Sequence, residues 1–485
     1  MKLSQKLGYG VGQLSDGAKQ AAFSTFLFFY YNQVLGLSGS LAGAAALLAL
    51  LADAITDPMI GQISDRFRSR FGRRHPFMLA GVVPFAIAMV ALFSPPSDLS
   101  QYELFGWMLG CAVAVRFALT LFFVPHLSLG AELVKDYHER TSLIGYRVFF
   151  TYAGILVVSV VGFAVFFPST PDYPNGLLNA ASYPGFGMFC GVLGAAAMFI
   201  TVFSTRFAIP NLTQPAQNIE KKNPLLAVKE VFRTLKIASF RNLFTVTLMF
   251  TSLVGMVGTL TVYVATYVFE FTPGHLAGLA SSFVVGLLFA SLVAQKLSRR
   301  FDKRFALGVC VTLGSLTAFA PIIGYLLGLF EGVAIAPKFS FVFIMTGLSQ
   351  IFFIAYTILL DSMLTDVIDE NEMYTGVREE GLFFAARSFA TKASFGIGSF
   401  VAGISLDIIE FPKNATVETI NPEVVSSLAM LGGPIMLLLF ISTVFISRRY
   451  PLDQKRHSEI LAAIKAGGVE PVVSEQASDA SRQPA

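Results

Sequence analysis

Apolar stretches of about 20 residues recur along the whole chain, and each is long enough to cross roughly 30 Å of hydrocarbon as a helix. Residues 41–63 and 143–167 are two such stretches. The strands of a membrane barrel would be about ten residues long and would alternate apolar with polar side chains, a pattern these stretches lack. The sequence therefore predicts an all-α membrane protein in which most side chains face lipid or other helices.

The composition agrees with this interpretation. Of the 485 residues, 54% are hydrophobic and 14% are charged, whereas about a quarter of the residues in soluble domains are charged. The first twenty residues lack a short apolar core followed by a small-residue cleavage site, so we expect no cleaved signal peptide.

We predict twelve transmembrane helices in two six-helix bundles. The spans lie near 20–36, 41–63, 76–94, 104–130, 143–167 and 185–207, and then near 241–269, 275–296, 304–330, 339–363, 380–408 and 424–447. The predicted domains are an N-terminal bundle (1–208), a cytosolic linker (209–240), a C-terminal bundle (241–447) and a cytosolic tail (448–485). We expect the polar tail to be disordered, because it cannot bury enough apolar surface to fold alone.

The two groups of spans resemble each other at an offset of about 234 residues, which indicates an internal repeat. AELVKDYHERTS, beginning at Ala131, corresponds in pattern to TDVIDENEMYTG, beginning at Thr365. GQISDRFRSRFGRR, beginning at Gly61, has a basic counterpart in AQKLSRRFDKR, beginning at Ala294. Parallel repeats of this kind predict pseudo-symmetric halves with a solute site between them near the bilayer midplane.

Lys and Arg are concentrated in alternate loops. The loops fall into two alternating sets, one on each side of the membrane. One set has only Lys338 and Lys413. The other set has Arg66, Arg68, Arg70, Arg73, Arg74, Lys135, Arg140, Lys221, Lys222, Lys229, Arg233, Lys236, Arg299, Arg300, Lys303 and Arg304. Cationic loops are retained in the cytoplasm during insertion. We therefore predict a multi-pass protein of the inner (cytoplasmic) membrane, with residues 1–15 and 448–485 both in the cytoplasm.

Two carboxylates lie within the second predicted span. Asp53 and Asp57 are four residues apart, which sets both on one helix face about one turn apart. Each costs about 2.5 to 3.5 kcal/mol at the bilayer centre, and the two repel each other in low dielectric, so a cation or proton would relieve them. The pair indicates a coupling-ion site, and the alternative is a structural pair bonded to neighbouring helices.

Other charges lie within or beside apolar spans. Lys392 is the expected cationic partner of the acidic pair, reaching it from the other half. Arg147 either binds a polar solute or anchors its helix at the interface, and the sequence names no partner for Arg116. Asp16 and Lys19 are either cavity groups or a local ion pair.

The loop after the second span predicts a cytoplasmic gate. Asp65 can form a charge network with Arg66, Arg73 and Arg74, and breaking that network would bias a conformational equilibrium. Gly61 is expected to permit close helix packing. The alternative for the arginines is a role in topology, and both roles are compatible.

Motifs for enzymatic chemistry are absent from the sequence. The chain has no GxxxxGK[ST], HExxH or strand-associated GxSxG motif. We therefore expect that the protein is not an enzyme and that it uses no cofactor beyond a coupling ion (Na⁺ or H⁺). We expect a monomer whose partners are a small-molecule solute and the lipid bilayer, with no nucleic-acid partner.

Four segments carry a family resemblance: KLGYGVGQ, FFYYNQVLGLS, DAITDPMIGQISDRFRSRFGRRHPF and DVIDENEMYTGVREEGLFFAARSFATK. They resemble the glycoside, pentoside and hexuronide cation symporters, the melibiose permease group of the major facilitator superfamily, and the likeness covers residues 5–450. It implies alternating-access symport of a sugar, glycoside or uronide, driven by Na⁺ or H⁺.

The resemblance also implies roles for individual residues. Cation ligands would be Asp53 and Asp57, as metal ligands if the ion is Na⁺, with Thr56 and Thr120 as neutral ligands. Groups at the solute would be Asp16, Arg147 and Lys392.

Two positions depart from the family's sugar transporters, which can carry an acidic residue where Phe123 stands and a Trp where Leu127 stands. A lysophospholipid or another amphiphile is therefore an alternative solute. A non-transporting membrane sensor is a third hypothesis, although the short polar tail offers no output domain.

Overall fold

The computed structural model describes residues 2–134, 136–211 and 233–465. Helices and their connecting turns make up this part of the chain, in the order α1 (3–34), α2 (Gly39–Arg66), α3 (His75–Leu92), α4 (Gln101–Leu133), α5 (137–166), α6 (Tyr183–Thr205), α7 (Ala238–Val268), α8 (Pro273–Arg300), α9 (Lys303–Leu326), α10 (Ile335–Thr375), α11 (Glu380–Ile408), α12 (Pro422–Ser447) and α13 (Gln454–Lys465). The predicted all-α fold is confirmed.

Eleven of the helices in the described ranges, α2 to α12, are long and apolar enough to cross a membrane, judged by length and composition. The remaining long segment, α1, is an unbroken succession of α-, 3₁₀- and π-helical turns. Its polar residues lower its mean hydropathy, and they include Asp16, Lys19, Asn32 and Gln33. Together with α1, the eleven spans give twelve long helical segments in the described ranges, as predicted.

The helices form two bundles, α1–α6 and α7–α12. In the first, α3 packs against α4 and α6, and α2 packs against α4; in the second, α10 packs against α8 and α9. Helix α2 of the first bundle also packs along α11 of the second, and α5 packs against the start of α8. A site between α2 and α11 is therefore shared by both bundles.

Helix α1 begins earlier than predicted, because residues expected to precede the first span are helical from Leu3. Glycines let this early part lie against its neighbours. A Cβ atom at Gly17 would lie 2.1 Å from the backbone oxygen of Thr151, and one at Gly12 would lie 2.5 Å from the ring of Phe122. Helix–helix contact therefore extends α1 beyond its apolar core.

The tail departs from the prediction of disorder between residues 448 and 465. Residues Gln454–Lys465 form α13, which packs against α10. Ile460 is fully buried and Tyr450 is 1% exposed, and His457 lies 3.0 Å from Asp369. These few apolar anchors, docked on an existing surface, fold a segment that could not fold alone. Residues 466–485, and residues 212–232 of the predicted linker, lie outside the described residues.

One end of the molecule is closed by contacts between the bundles. The Tyr263 hydroxyl of α7 donates to Asn32 of α1 at 2.6 Å, and the Tyr267 hydroxyl lies 3.3 Å from Gln33 Oε1. The carboxylate of Asp407 on α11 accepts hydrogen bonds from the first backbone N–H groups of α2, at 2.8 and 2.7 Å. We call this the sealed end; it lies opposite the cation-rich end that carries Arg73, Arg74 and Lys303.

Candidate functional site

Two charged or polar pairs link α2 to α4. Both helices run from the sealed end to the cation-rich end, so residues four apart on one can meet residues four apart on the other. Arg116 Nη1 donates to Asp53 Oδ2 at 2.8 Å, and Thr120 Oγ1 donates to Asp57 Oδ1 at 2.8 Å. Arg116, whose partner the sequence did not reveal, therefore neutralises Asp53 within its own bundle.

Lys392 reaches the same carboxylates from α11. Its ammonium contacts Asp57 Oδ2 directly and lies 3.9 Å from Asp53 Oδ2. The predicted pairing of Lys392 with the acidic pair is therefore present, and it joins the two bundles. Its role at the solute stays a prediction.

Two oxygens at this cluster lack a hydrogen-bond partner within the described residues, although both are buried: Asp53 Oδ1 and Thr56 Oγ1. A buried acceptor without a partner is costly. These oxygens and Asp57 Oδ2 are the atoms from which a coupling ion could be held. The Thr120 hydroxyl donates to Asp57 and keeps its oxygen lone pairs, so its role as a neutral cation ligand stays a prediction.

The charged side chains at the cluster differ in solvent exposure. The side chains of Asp53 and Arg116 are each 9% exposed, while those of Asp57 and Lys392 are 27% and 35% exposed. The guanidinium of Arg116 also lies over the ring of Phe23, 5.1 Å from its centroid, which is a cation–π contact. Asp53–Arg116 is thus the enclosed pair and Asp57–Lys392 the more accessible one.

Asp16 forms its contacts within α1. Its carboxylate lies 3.0 Å from the Lys19 ammonium and accepts a hydrogen bond from Gln20 at 2.7 Å. The structure thus contains the local ion pair that the sequence left open, and a solute role for Asp16 stays a prediction.

Arg147 belongs to a separate polar cluster between α1, α4 and α5. It lies beside Tyr9, whose hydroxyl donates to the His126 backbone oxygen at 3.2 Å. The fully buried His126 lies 2.9 Å from the Tyr9 backbone oxygen through Nε2 and 3.1 Å from the Gln13 amide nitrogen through Nδ1. Sequence reasoning missed His126 and Gln13, although a His and a Gln amid apolar helices are a signal in themselves.

The predicted gate residues assemble around a carboxylate that the sequence analysis did not single out. Glu132 Oε1 accepts from Arg73 at 2.5 Å and from Arg74 at 3.0 Å, and Arg74 also lies 2.5 Å from Asp65. All these residues belong to the first bundle, so the network links α2, α3 and α4. Gating by this network, with Arg66 as a member, stays a prediction.

Gly61 does not fill the role expected of it. A Cβ atom built there would meet its nearest neighbour, a Val124 methyl group, at 3.5 Å, which is ordinary van der Waals contact. Close helix approach therefore does not require glycine at this position.

The second bundle repeats the pattern at its own cation-rich end. Lys303 lies 2.7 Å from Asp366, which follows Glu132 by the offset of about 234 residues found in the internal repeat. In the neighbouring loop, hydrogen bonds to Glu380, Glu372 and Asp369 raise the pKa of Arg378.

The single tryptophan lies away from the acid–base cluster, which consists of Asp53, Asp57, Arg116 and Lys392. Trp107 is near the start of α4, toward the sealed end, and its indole N–H donates to the Ala91 backbone oxygen at 2.9 Å. Trp107 therefore does not supply the stacking surface on which a sugar ring could lie at the cluster.

Three relatives show what the whole chain is similar to. YagG of Escherichia coli (strain K12), provisionally named a glycoside/cation symporter, is 28% identical over 94% of this chain and 93% of its own length. The isoprimeverose transporter of Lactiplantibacillus pentosus is 26% identical, covering 83% of this chain and 80% of its own. The glucuronide carrier protein homolog of Escherichia coli (strain K12) is 24% identical, covering 94% of both chains.

Solved structures share the fold at low sequence identity. The inward-open xylose transporter XylE from E. coli superposes with a TM-score of 0.57 at 16% identity, covering 94% of this chain and 98% of that one. The nucleoside transporter NupG superposes with a TM-score of 0.60 at 13% identity, covering 91% and 99%. The sequence pattern of the family described as MFS/sugar transport protein matches residues 8–454. The chain therefore belongs to the MFS/sugar transport protein family.

Proposed function

We propose that the protein is a secondary active transporter that couples import of a sugar, glycoside or uronide to a cation gradient, Na⁺ or H⁺, by alternating access. The observation that carries this proposal is the acid–base cluster between the bundles, in which Lys392 of α11 contacts Asp57 of α2. The carbohydrate class is supported by the glycoside, isoprimeverose and glucuronide named for its relatives.

The physical basis of coupling is the position of this contact. Separating α2 from α11 removes the ammonium from Asp57 and leaves a half-buried carboxylate without its counter-ion, which is costly. A monovalent cation at Asp57 offsets that cost. The charge state of Asp57 and the separation of the bundles therefore depend on each other, which is the requirement for coupled transport.

Orientation completes the proposal. The cation-rich end is cytoplasmic by the positive-inside rule, so the contacts of Tyr263 and Asp407 close the outer face. The protein then lies in the inner membrane with both termini in the cytoplasm. It acts as a monomer, with no cofactor other than the coupling ion.

Proteoliposome uptake tests this function. Purified protein is supplied with radiolabelled isoprimeverose, a glucuronide, a β-glycoside or lysophosphatidylcholine, under an imposed Na⁺ or proton gradient. We expect a gradient to drive accumulation of one of the carbohydrates, and Asp57→Asn to abolish accumulation while exchange persists. Gradient-driven uptake of the lysolipid alone would select an amphiphile instead, and solute binding without flux would favour a sensor.

A further inference from the structure

The acid–base cluster already contains as many positive as negative charges. Asp53 and Asp57 supply two negative charges, and Arg116 and Lys392 supply two positive charges. An added alkali cation would leave a net positive charge in a largely buried site, which low dielectric opposes. A metal ion therefore does not fit this arrangement of charges unless one of the two cationic side chains leaves.

The contact of Lys392 with the acidic pair can be broken, whereas the contact of Arg116 with Asp53 cannot. Lys392 belongs to the opposite bundle, so its contact ends when the bundles separate. Arg116 and Asp53 belong to adjacent helices of one bundle, both side chains are 9% exposed, and the ring of Phe23 covers the guanidinium. The Asp53–Arg116 pair therefore stays intact in every conformation that preserves the first bundle.

Arg116 also acts on the oxygens that a metal ion would need. Its Nη1 holds Asp53 Oδ2 at 2.8 Å, and its charge lies next to the free Asp53 Oδ1. At an effective dielectric of about 20, a unit charge at about 5 Å changes the affinity for a monovalent ion on the order of a hundredfold.

We infer that Arg116 is a built-in counter-ion that excludes Na⁺ and Li⁺ from the Asp53–Asp57 site. The inference rests on the proposed function and deepens it. Na⁺ and Li⁺ need several oxygen ligands at once, and Arg116 occupies Asp53 Oδ2, whereas a proton needs a single oxygen. Of the two candidate coupling ions, the proton therefore remains. Arg116 is in this sense a residue that determines ion specificity.

Thermal unfolding of the purified protein tests the inference without a transported solute. The unfolding temperature is measured in NaCl, LiCl and choline chloride at equal ionic strength, since an ion that binds the folded state raises it. We expect the wild type to unfold at one temperature in all three salts. Arg116→Gln, and the apolar variant Arg116→Met, should gain a shift specific to Na⁺ or Li⁺ that Asp57→Asn then removes.

Two control variants separate charge from general loosening. Arg116→Lys keeps the positive charge and should stay insensitive to Na⁺. Arg387→Gln removes an arginine paired with Asp361 at 2.9 Å in the other bundle and should gain no shift.

A Na⁺-specific shift in the wild type, which requires no variant to fold, would overturn the inference. So would the absence of that shift in an Arg116→Gln or Arg116→Met protein that elutes as a folded monodisperse species. Neither outcome touches the proposed function, which fails only if no cation gradient drives uptake.

Discussion

Removing the Tyr263 hydroxyl should open the sealed end more often. This hydroxyl donates to Asn32 Oδ1 at 2.6 Å across the bundles, and the Tyr263 side chain is fully buried. In Tyr263→Phe the bond is lost only in the sealed conformation, because both groups meet water when the end opens. A buried hydrogen bond of this kind contributes about 1 to 1.5 kcal/mol, so the ratio of open to sealed molecules should rise about five- to tenfold.

Cysteine accessibility measures that ratio. Thr266, near Tyr263 at the sealed end, is 1% exposed, so a Thr266→Cys reporter reacts with a membrane-impermeant maleimide only when the end opens. The native Cys111, Cys190 and Cys310 are replaced beforehand. We expect Tyr263→Phe to raise the labelling rate about five- to tenfold, in proportion to the open fraction.

Tyr183→Phe is the matched control, because the Tyr183 hydroxyl donates to the Leu177 backbone oxygen at 2.8 Å within one bundle. It should lower stability without changing the labelling rate. The reasoning is refuted if Tyr263→Phe leaves the rate unchanged, or if Tyr183→Phe raises it equally.

Three further predictions concern stability, read from thermal unfolding in detergent. The buried Tyr356 hydroxyl has no partner within the described residues, so Tyr356→Phe should be neutral or stabilise by up to about 1 kcal/mol; a clear loss would reveal a hidden partner. Ile460→Ala should destabilise the docked α13 by about 2 to 4 kcal/mol, whereas Leu461→Ala, at a side chain 38% exposed, should have little effect, and equal effects would argue against docking. Glu132→Gln should cost about 1.5 to 3 kcal/mol because two arginines lose a charged acceptor; the unfolding temperature of Asp65→Asn, whose partner Arg74 keeps Glu132, should fall less.

The sequence by itself determined the fold class and the location of the acidic pair. Apolar stretches long enough to span a bilayer can satisfy their backbone only as helices, so Gly39–Arg66 and the later spans follow from periodicity and length. Carboxylates within such a stretch are equally easy to identify from the sequence, because Asp53 and Asp57 are surrounded by apolar residues.

The sequence predicted Lys392 as the partner of the acidic pair, but only the tertiary structure decided which carboxylate each cation contacts. Asp53 and Arg116 lie 63 residues apart, and Asp57 and Lys392 lie 335 apart, and no local pattern encodes such separations. The register between α2 and α4 places Arg116 against Asp53. The packing of α11 on α2 places Lys392 against Asp57. Helix α13 likewise folds only because α10 offers a surface, since a segment with so few apolar residues gains its stability from docking rather than from its own composition.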